Sequence, residues 1–458
     1  MKIIIAGLGK VGRILTEQLV SDKHDVVVID QNPDLVNDIV NIYDVLGVTG
    51  NCGCYSVQKE AFAGGADLLI ATTSSDEINI LACLVAKKIG TAHTIARIRN
   101  PEYEEQLRLM RSELGLSMVI NPEEASARKI AQVLRFPSAV KLEQFSKARF
   151  ELIEYRIEKD NPLTGMKLSD LYQSFKVKVL IAAVVRNQKV LIPSGSQTLM
   201  QGDVIYVTAP PEELERFFRK LNLYKSTARN VMIVGASRMA YYLCKELRNL
   251  NARITVIDRD VTKCRELSIH HPEALVIQGD GADNELLLEE GLEGMDAFVA
   301  LTGMDETNII LAMYASSVNA GKVVAKINRK SFSDLAEARG MVDSVVSTGS
   351  VTTEQILQYV RAMHNSMGSN IRTLHRIVDG KAEALEFYVD EGFPFAGIPL
   401  RNLKLKPNLL VVGIVRKNGQ TLIPSGNDEI QVGDDVIVVT TNSSLSDLRD
   451  ICDKGRPL

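Results

Sequence analysis

Between a short apolar run and the helix that follows it, the sequence carries AGLGKVG, in which Gly7, Gly9 and Gly12 hold the G-x-G-x-x-G spacing. The first glycine of such a turn permits a tight bend, the second lets the backbone approach a pyrophosphate, and the third lets helix and strand pack closely. The free N–H groups at the helix start then face the anion. Asp30 closes the next apolar strand, DVVVID, and is placed to accept hydrogen bonds from ribose hydroxyls. Charge-assisted bonds of that kind contribute about 1.5–3 kcal/mol each. The same carboxylate would repel a ribose 2′-phosphate, so NAD or NADH, or an adenine nucleotide such as ATP or ADP, is expected over NADP(H). Lys10 offers a phosphate partner beside the turn. Thr73 and Ser74 fall at the carboxyl end of a predicted strand, where open α/β sheets bind ligands. Arg97, in the strand after, is placed to pair with phosphate or with Asp76.

These residues recur. The opening KIIIAGLGKVGRILTEQLVSDKHDVVVIDQN returns about 230 residues later as NVMIVGASRMAYYLCKELRNLNARITVIDRD, again a strand, a small-residue turn, a helix and a strand closed by an aspartate, here Asp258. The helix stripe of Val11, Ile14, Leu15 and Leu19 recurs as Met239, Tyr242, Leu243 and Leu247, at the spacing of one face turned to a sheet. Further on, DLLIATTSSDEINI answers DAFVALTGMDETNI, pairing Thr73 with Thr302, Asp76 with Asp305 and Asn79 with Asn308. The second turn keeps Gly235 but has Ser237 and Ala240 where the other two glycines stand. Ser237 puts a β-carbon where backbone should approach a phosphate, which predicts an altered ligand pose. Arg238 takes the place of Lys10, and Asp280, placed to reach an adenine amino group, stands where the first half has Asn51, so the two sites should differ in preference.

Strands alternating with helices in this rhythm imply an α/β fold: two Rossmann-type, doubly wound parallel-sheet domains. Each is followed by a helical connector, NPEEASARKIAQVLRF and VTTEQILQYVRAMH, with Asn121 before Pro122 as an N-cap. Short alternating strands then form a small α+β lobe, and VVRNQKVLIPSGSQTLMQGDVIYVTA recurs as IVRKNGQTLIPSGNDEIQVGDDVIVVTT, with Asn418-Gly419 marking a hairpin. The expected domains are 1–123 and 228–348 for the large units, and 140–221 and 368–453 for the lobes.

The rest of the sequence narrows the function. Basic and acidic residues number 53 and 57, giving a net charge of −4 with no dominant basic block, so the footprint of a nucleic-acid binder is missing. No apolar run approaches the roughly 18 residues that span a bilayer, and Met1 leads straight into KIIIAGLG without the basic and apolar regions of a signal peptide. A cytoplasmic chain that is not itself membrane-spanning is expected. The six cysteines, Cys52 and Cys54 among them, are expected to be reduced thiols without metal. None of His24, His93, His270, His271, His364 or His375 lies in a catalytic motif, and nucleophile elbows and metal-binding helices are absent. An NAD-dependent oxidoreductase is the alternative, but it would need an acid or base and a substrate domain. A redox-sensing transcription factor would need a helix-turn-helix that is not found.

On these residues, GLGKVG with Asp30, TTSSDEIN and two IPSG-containing lobes in duplicate, the large units resemble RCK (KTN) domains that regulate potassium channels, and the lobes resemble their C-terminal partner modules. The resemblance spans nearly the whole chain. It implies a regulatory subunit, not an enzyme, that sits peripherally on the cytoplasmic face of the inner membrane. There it forms a homo-oligomer, a tetrameric ring, and associates with a membrane-embedded potassium-transporting subunit. The nucleotide positions it implies are Gly7, Leu8, Gly9, Lys10, Val11, Asp30, Thr73, Ser74 and Arg97 in the first half. In the second they are Gly235, Ala236, Ser237, Arg238, Met239, Asp258, Asp280, Thr302 and Lys326.

Overall fold

The computed structural model describes residues 1–110, 113–135, 141–145, 149–159, 161–221, 228–366, 371–378, 381–442, 445 and 447–452. The expected lobe boundaries at 140, 368 and 453 lie outside the described residues. The chain forms two compact units, each drawn from both halves of the sequence: residues 1–131 with 229–357, and residues 132–228 with 358–458.

The first unit holds both parallel sheets. One consists of β1 (Lys2–Ala6), β2 (Asp25–Asp30), β3 (Leu46–Thr49), β4 (Leu68–Ala71), β5 (His93–Arg97) and β6 (Met118–Ile120), with α1 (Lys10–Ser21), α2 (Pro33–Ile42), α3 (Tyr55–Glu60), α4 (Asp76–Ile89), α5 (Glu104–Met110) and α6 (Pro122–Arg135). Its strand order is β3-β2-β1-β4-β5-β6, the Rossmann order, with the reversal between β1 and β4. Ile3, Ile4 and Ile5 are all fully buried, as a parallel strand covered by helices on both faces requires. Local sequence sets the helix starts. Asn32 caps α2 by accepting from Asp34 N with Pro33 at the first helical position, Ser75 caps α4 through Ile78 N, and Asn121 caps α6 through Glu123 N and Glu124 N at 3.1 and 3.0 Å.

The second unit begins with a lobe of β7 (Lys141–Phe145), β8 (Phe150–Arg156), β9 (Leu180–Arg186), β10 (Lys189–Leu191) and β11 (Val204–Ala209), with α7 (Leu171–Phe175) and α8 (Pro211–Lys220), in the antiparallel order β10-β9-β11-β8-β7. The other parallel sheet, in the first unit, has β12 (Asn230–Val234), β13 (Arg253–Asp258), β14 (Leu275–Gln278), β15 (Ala297–Ala300), β16 (Lys322–Lys326) and β17 (Ser344–Val346), with α9 (Arg238–Asn249), α10 (Val261–His270), α11 (Asn284–Glu289), α12 (Asp305–Ser317), α13 (Lys330–Ala338) and α14 (Thr348–Ser366). Its order, β14-β13-β12-β15-β16-β17, repeats that of the first. The last lobe, β18 (Ile371–Ile377), β19 (Ala382–Tyr388), β20 (Leu409–Val415), β21 (Thr421–Leu422) and β22 (Asp435–Thr440), is ordered β18-β19-β22-β20-β21. The two lobe sheets share a core in which Phe145, Phe150 and Leu152 pack with Ile377, Ala384 and Val439.

In the first unit the two Rossmann halves meet through equivalent helices. Asn121 Nδ2 donates to the hydroxyl of Tyr242 on α9 at 2.8 Å, Arg128 on α6 pairs with Glu246 at 3.6 Å, and Lys129 pairs with Glu354 on α14 at 3.5 Å. This packing corrects one sequence expectation. Val11, Leu15 and Leu19 are buried, but Ile14 is 38% exposed. Its δ-methyl lies 4.0 Å from where a β-carbon on Gly349, at the start of α14, would stand. Tyr242, the repeat partner of Ile14, is buried and carries the hydrogen bond to Asn121. The stripe therefore faces the sheet at three positions and the other half at the fourth.

Candidate functional site

Each candidate site lies at the carboxyl ends of its sheet, at the reversal between β1 and β4 or between β12 and β15. Gly7 has a φ of +96°, and a β-carbon there would stand 2.7 Å from Thr73 N. A β-carbon on Gly12 would stand 1.9 Å from Gly7 O, so only glycine closes this turn as it is built. Gly9 opens onto free space and caps α1 without a side-chain bond. Among the described residues no group accepts from the amides of Gly9, Lys10, Val11 or Gly12. Four N–H groups at a helix N-terminus are thus left for an anion. Leu8 and Val11 are buried, so only their backbone borders the site. Lys10 is exposed.

Asp30 ends β2 beside this turn. Its Oδ2 accepts from Leu8 N at 2.6 Å and its Oδ1 from Asn32 N at 2.9 Å. Each carboxylate oxygen retains capacity for a second donor, which a ribose diol would supply. In the second half Asp258 repeats the arrangement, accepting from Ala236 N at 2.7 Å and Asp260 N at 2.9 Å. Asp280 is exposed two residues beyond β14, and its Oδ1 accepts from Ala282 N at 3.0 Å. Asn51, its counterpart, holds Gly53 N at 2.9 Å.

The loops after β4 and β15 are braced by buried asparagines whose role the repeat alone did not reveal. Asn79 Oδ1 accepts from Thr73 N and Thr73 Oγ1, both at 2.8 Å, while its Nδ2 donates to Thr73 O at 3.2 Å and to Arg97 O at 2.8 Å. Asn308 makes the same four bonds to Thr302 and Lys326 O. Thr73 and Thr302 are therefore committed to loop shape through their side chains, whereas Ser74 is exposed at the loop tip.

Arg97 does not pair with Asp76. Its Nη2 donates to Thr73 O at 2.5 Å, and its buried Nε has no partner among the described residues. The carboxylate expected to hold it, Asp76, is buried and engaged by Arg99 at 3.5 Å and by the amides of Arg99 and Asn100 at 2.9 Å each. Arg99 also donates to Ser74 O. Arg99, two residues past Arg97 and beyond the end of β5, is the side chain that reaches the start of α4. Lys326, at Arg97's place in the second half, points its Nζ to Leu301 O at 3.4 Å.

Glu123 was not singled out in the sequence, where it reads as an ordinary acidic residue in a helix's first turn. Its Oε2 is buried without a hydrogen-bond partner among the described residues. Burial pushes its carboxyl above the usual range, against the pull of Arg99 and Arg97 of its own half and Arg238 of the other. Burial likewise pushes Arg97 and Lys326 below their usual values. One carboxylate thus sits among cations from both halves.

The tight turn, the strand-end aspartate and the braced loop, built twice on Rossmann sheets that each lead into a β lobe, define a tandem Rossmann-fold protein. The TrkA-N domain family matches residues 3–122 and 231–348, and the TrkA-C domain family matches residues 152–222 and 384–453. The chain is 32% identical over 456 residues to the Trk system potassium uptake protein TrkA homolog 1 of Methanosarcina mazei, covering 98% of this chain and 99% of that one. It is also 32% identical over 449 residues to the Trk system potassium uptake protein TrkA of Vibrio alginolyticus, covering 96% of each. The chain belongs to the TrkA family. Among solved structures, the GsuK channel bound to NAD shares the fold with a TM-score of 0.62 at 19% identity, over 96% of this chain and 77% of that one. The GsuK RCK domain does so with a TM-score of 0.61 at 19% identity, over 96% and 92%.

Proposed function

We propose that this chain is the nucleotide-sensing regulatory subunit of a membrane potassium-uptake system. The observation that carries the reading is the first-half turn, whose four amides donate to nothing among the described residues and stand beside the Asp30 carboxylate. It occurs in a chain whose relatives, over nearly their full length, are potassium uptake proteins. Among the described residues no helix is long and apolar enough to cross a membrane, so transport itself falls to a separate membrane-embedded subunit. The ligand is NAD or NADH, with ATP or ADP sharing the adenosine contacts. Asp30 disfavours a 2′-phosphate. The solved relative bound to NAD has the same fold.

The working form is a homo-oligomeric ring, a tetramer for a tandem chain, held at the membrane by its transport partner. A ligand biases such a ring only by binding one conformation better than another. Shifting a two-state equilibrium from 1:99 to 99:1 takes about 5.5 kcal/mol of differential affinity, a demand that several sites in one ring share. The test is potassium uptake in cells lacking this chain, restored by the wild type or by Asp30→Ala, alongside calorimetry with NADH, NADPH and ADP. Uptake that responds to the wild type and not to Asp30→Ala, with NADH bound and not consumed, supports the proposal. Restoration by Asp30→Ala to the wild-type level would overturn it.

A further inference from the structure

The two phosphate turns differ in more than their glycines. In the first half the amides of Gly9, Lys10, Val11 and Gly12 donate to nothing among the described residues. In the second, Ser237 N donates to Gly235 O at 2.9 Å, and Ala240 N donates to Ser237 Oγ at 3.4 Å. Half of the equivalent donors are consumed inside the turn. The cause is Ala240. A β-carbon at its first-half counterpart would stand 1.9 Å from the turn carbonyl, so a chain with alanine there must swing that carbonyl away. The displaced Gly235 O is then the acceptor for Ser237 N. Ser237 completes the change by capping α9 with its own side chain.

Charge changes in the same direction. The second half sets two carboxylates, Asp258 and Asp280, at the ends of neighbouring strands, where the first has Asp30 and the neutral Asn51. Arg238, the one basic side chain at the second turn, is close enough to Glu123 of the first half to interact with it electrostatically. A phosphate arriving there meets fewer free donors and one more negative charge. A ribose diol still meets Asp258 in the geometry that Asp30 offers.

We infer that the second half is a nucleoside site, taking the base and ribose of its ligand with little contribution from phosphate, and that Ala240 and Ser237 together set this preference. The first half is then the site that reads the phosphate chain. This rests on the proposed nucleotide-binding function. Titration calorimetry of the full chain with adenosine, AMP, ADP and NADH tests it, with Asp258→Ala isolating the first sites and Asp30→Ala the second.

The first sites should tighten at least tenfold from adenosine to ADP, and the second sites less than about threefold. Adding Ser237→Gly with Ala240→Gly to the Asp30→Ala chain should bring a tenfold or larger dependence on phosphate, and adding Gly9→Ser with Gly12→Ala to the Asp258→Ala chain should flatten the first sites. Second sites that already tighten steeply with phosphate, that bind none of the four ligands, or that keep a flat response after both second-turn substitutions would overturn the inference and leave the functional proposal standing, as would first sites that stay steep after both first-turn substitutions. First sites that bind neither ADP nor NADH would overturn both.

Discussion

Replacing Asn79 by alanine strikes the brace that shapes the first site without touching the glycine turn. Asn79 is fully buried and makes four hydrogen bonds. Two of the groups it serves have other partners: Thr73 Oγ1 reaches Ser75 O at 3.2 Å, and Thr73 O still receives Arg97 Nη2. The other two, Thr73 N and Arg97 O, are left stranded. A buried polar group without a partner costs about 1–3 kcal/mol, so Asn79→Ala should destabilise the first Rossmann half by roughly 2–5 kcal/mol. Hydrogen exchange followed by mass spectrometry locates the loss, since protection should fall at the amides of Thr73 and of the start of α4. The loop at Thr73 borders the site, so NADH affinity of the first half should fall at least tenfold. Asn308→Ala removes the same four bonds in the second half and should move protection at Thr302 instead. A loss below about 0.5 kcal/mol in both variants, within the range of an ordinary surface change, would refute the claim that these asparagines hold the loops.

Three further outcomes follow from the same geometry. Gly12→Ala forces a β-carbon to 1.9 Å from Gly7 O; overpacking of that kind costs about 1–3 kcal/mol, read as a lower urea midpoint with weaker NADH binding, and an unchanged midpoint would contradict it. Tyr242→Phe removes the hydroxyl that accepts from Asn121 at 2.8 Å and should cost about 0.5–1.5 kcal/mol by urea unfolding, with α6 still capped. His271 is buried with Nε2 lacking a partner among the described residues and Nδ1 3.3 Å from Glu273; burial holds its imidazole below the usual histidine value despite that carboxylate. The folded chain therefore binds fewer protons than the unfolded chain, and this contribution to stability, intact above a pH of about 6.5, is lost as pH falls from there through the folded value. Urea midpoints between pH 8 and 5 should show a decline that His271→Gln reduces, and equal declines would contradict the assignment.

Much of this architecture was legible because the repeat supplies its own control. A strand, a turn and an aspartate that occur twice at fixed offsets identify β1 and β2 with β12 and β13, and put Asp30 and Asp258 at the same place. What escaped were contacts that no single segment encodes. Ile14 reads as a core residue by helical spacing, yet the second half lies where it points. Arg97 ends β5 and Arg99 follows two residues later, and only the position of α4 decides that Arg99 takes Asp76. Glu123 became notable only once folding buried its Oε2 and brought it within electrostatic reach of Arg238 from the other half. Asn79 and Asn308 were visible as a repeated pair, but their four bonds each depend on the approach of neighbouring strand ends.

The central claim is tested most directly by titration calorimetry of NADH into the purified full chain and into Asp30→Ala. NADH should bind saturably without turnover, NADPH should not bind comparably, and Asp30→Ala should lose one class of sites while the second-half sites remain. Absence of any nucleotide binding to the wild type, or unchanged binding to Asp30→Ala, would contradict it.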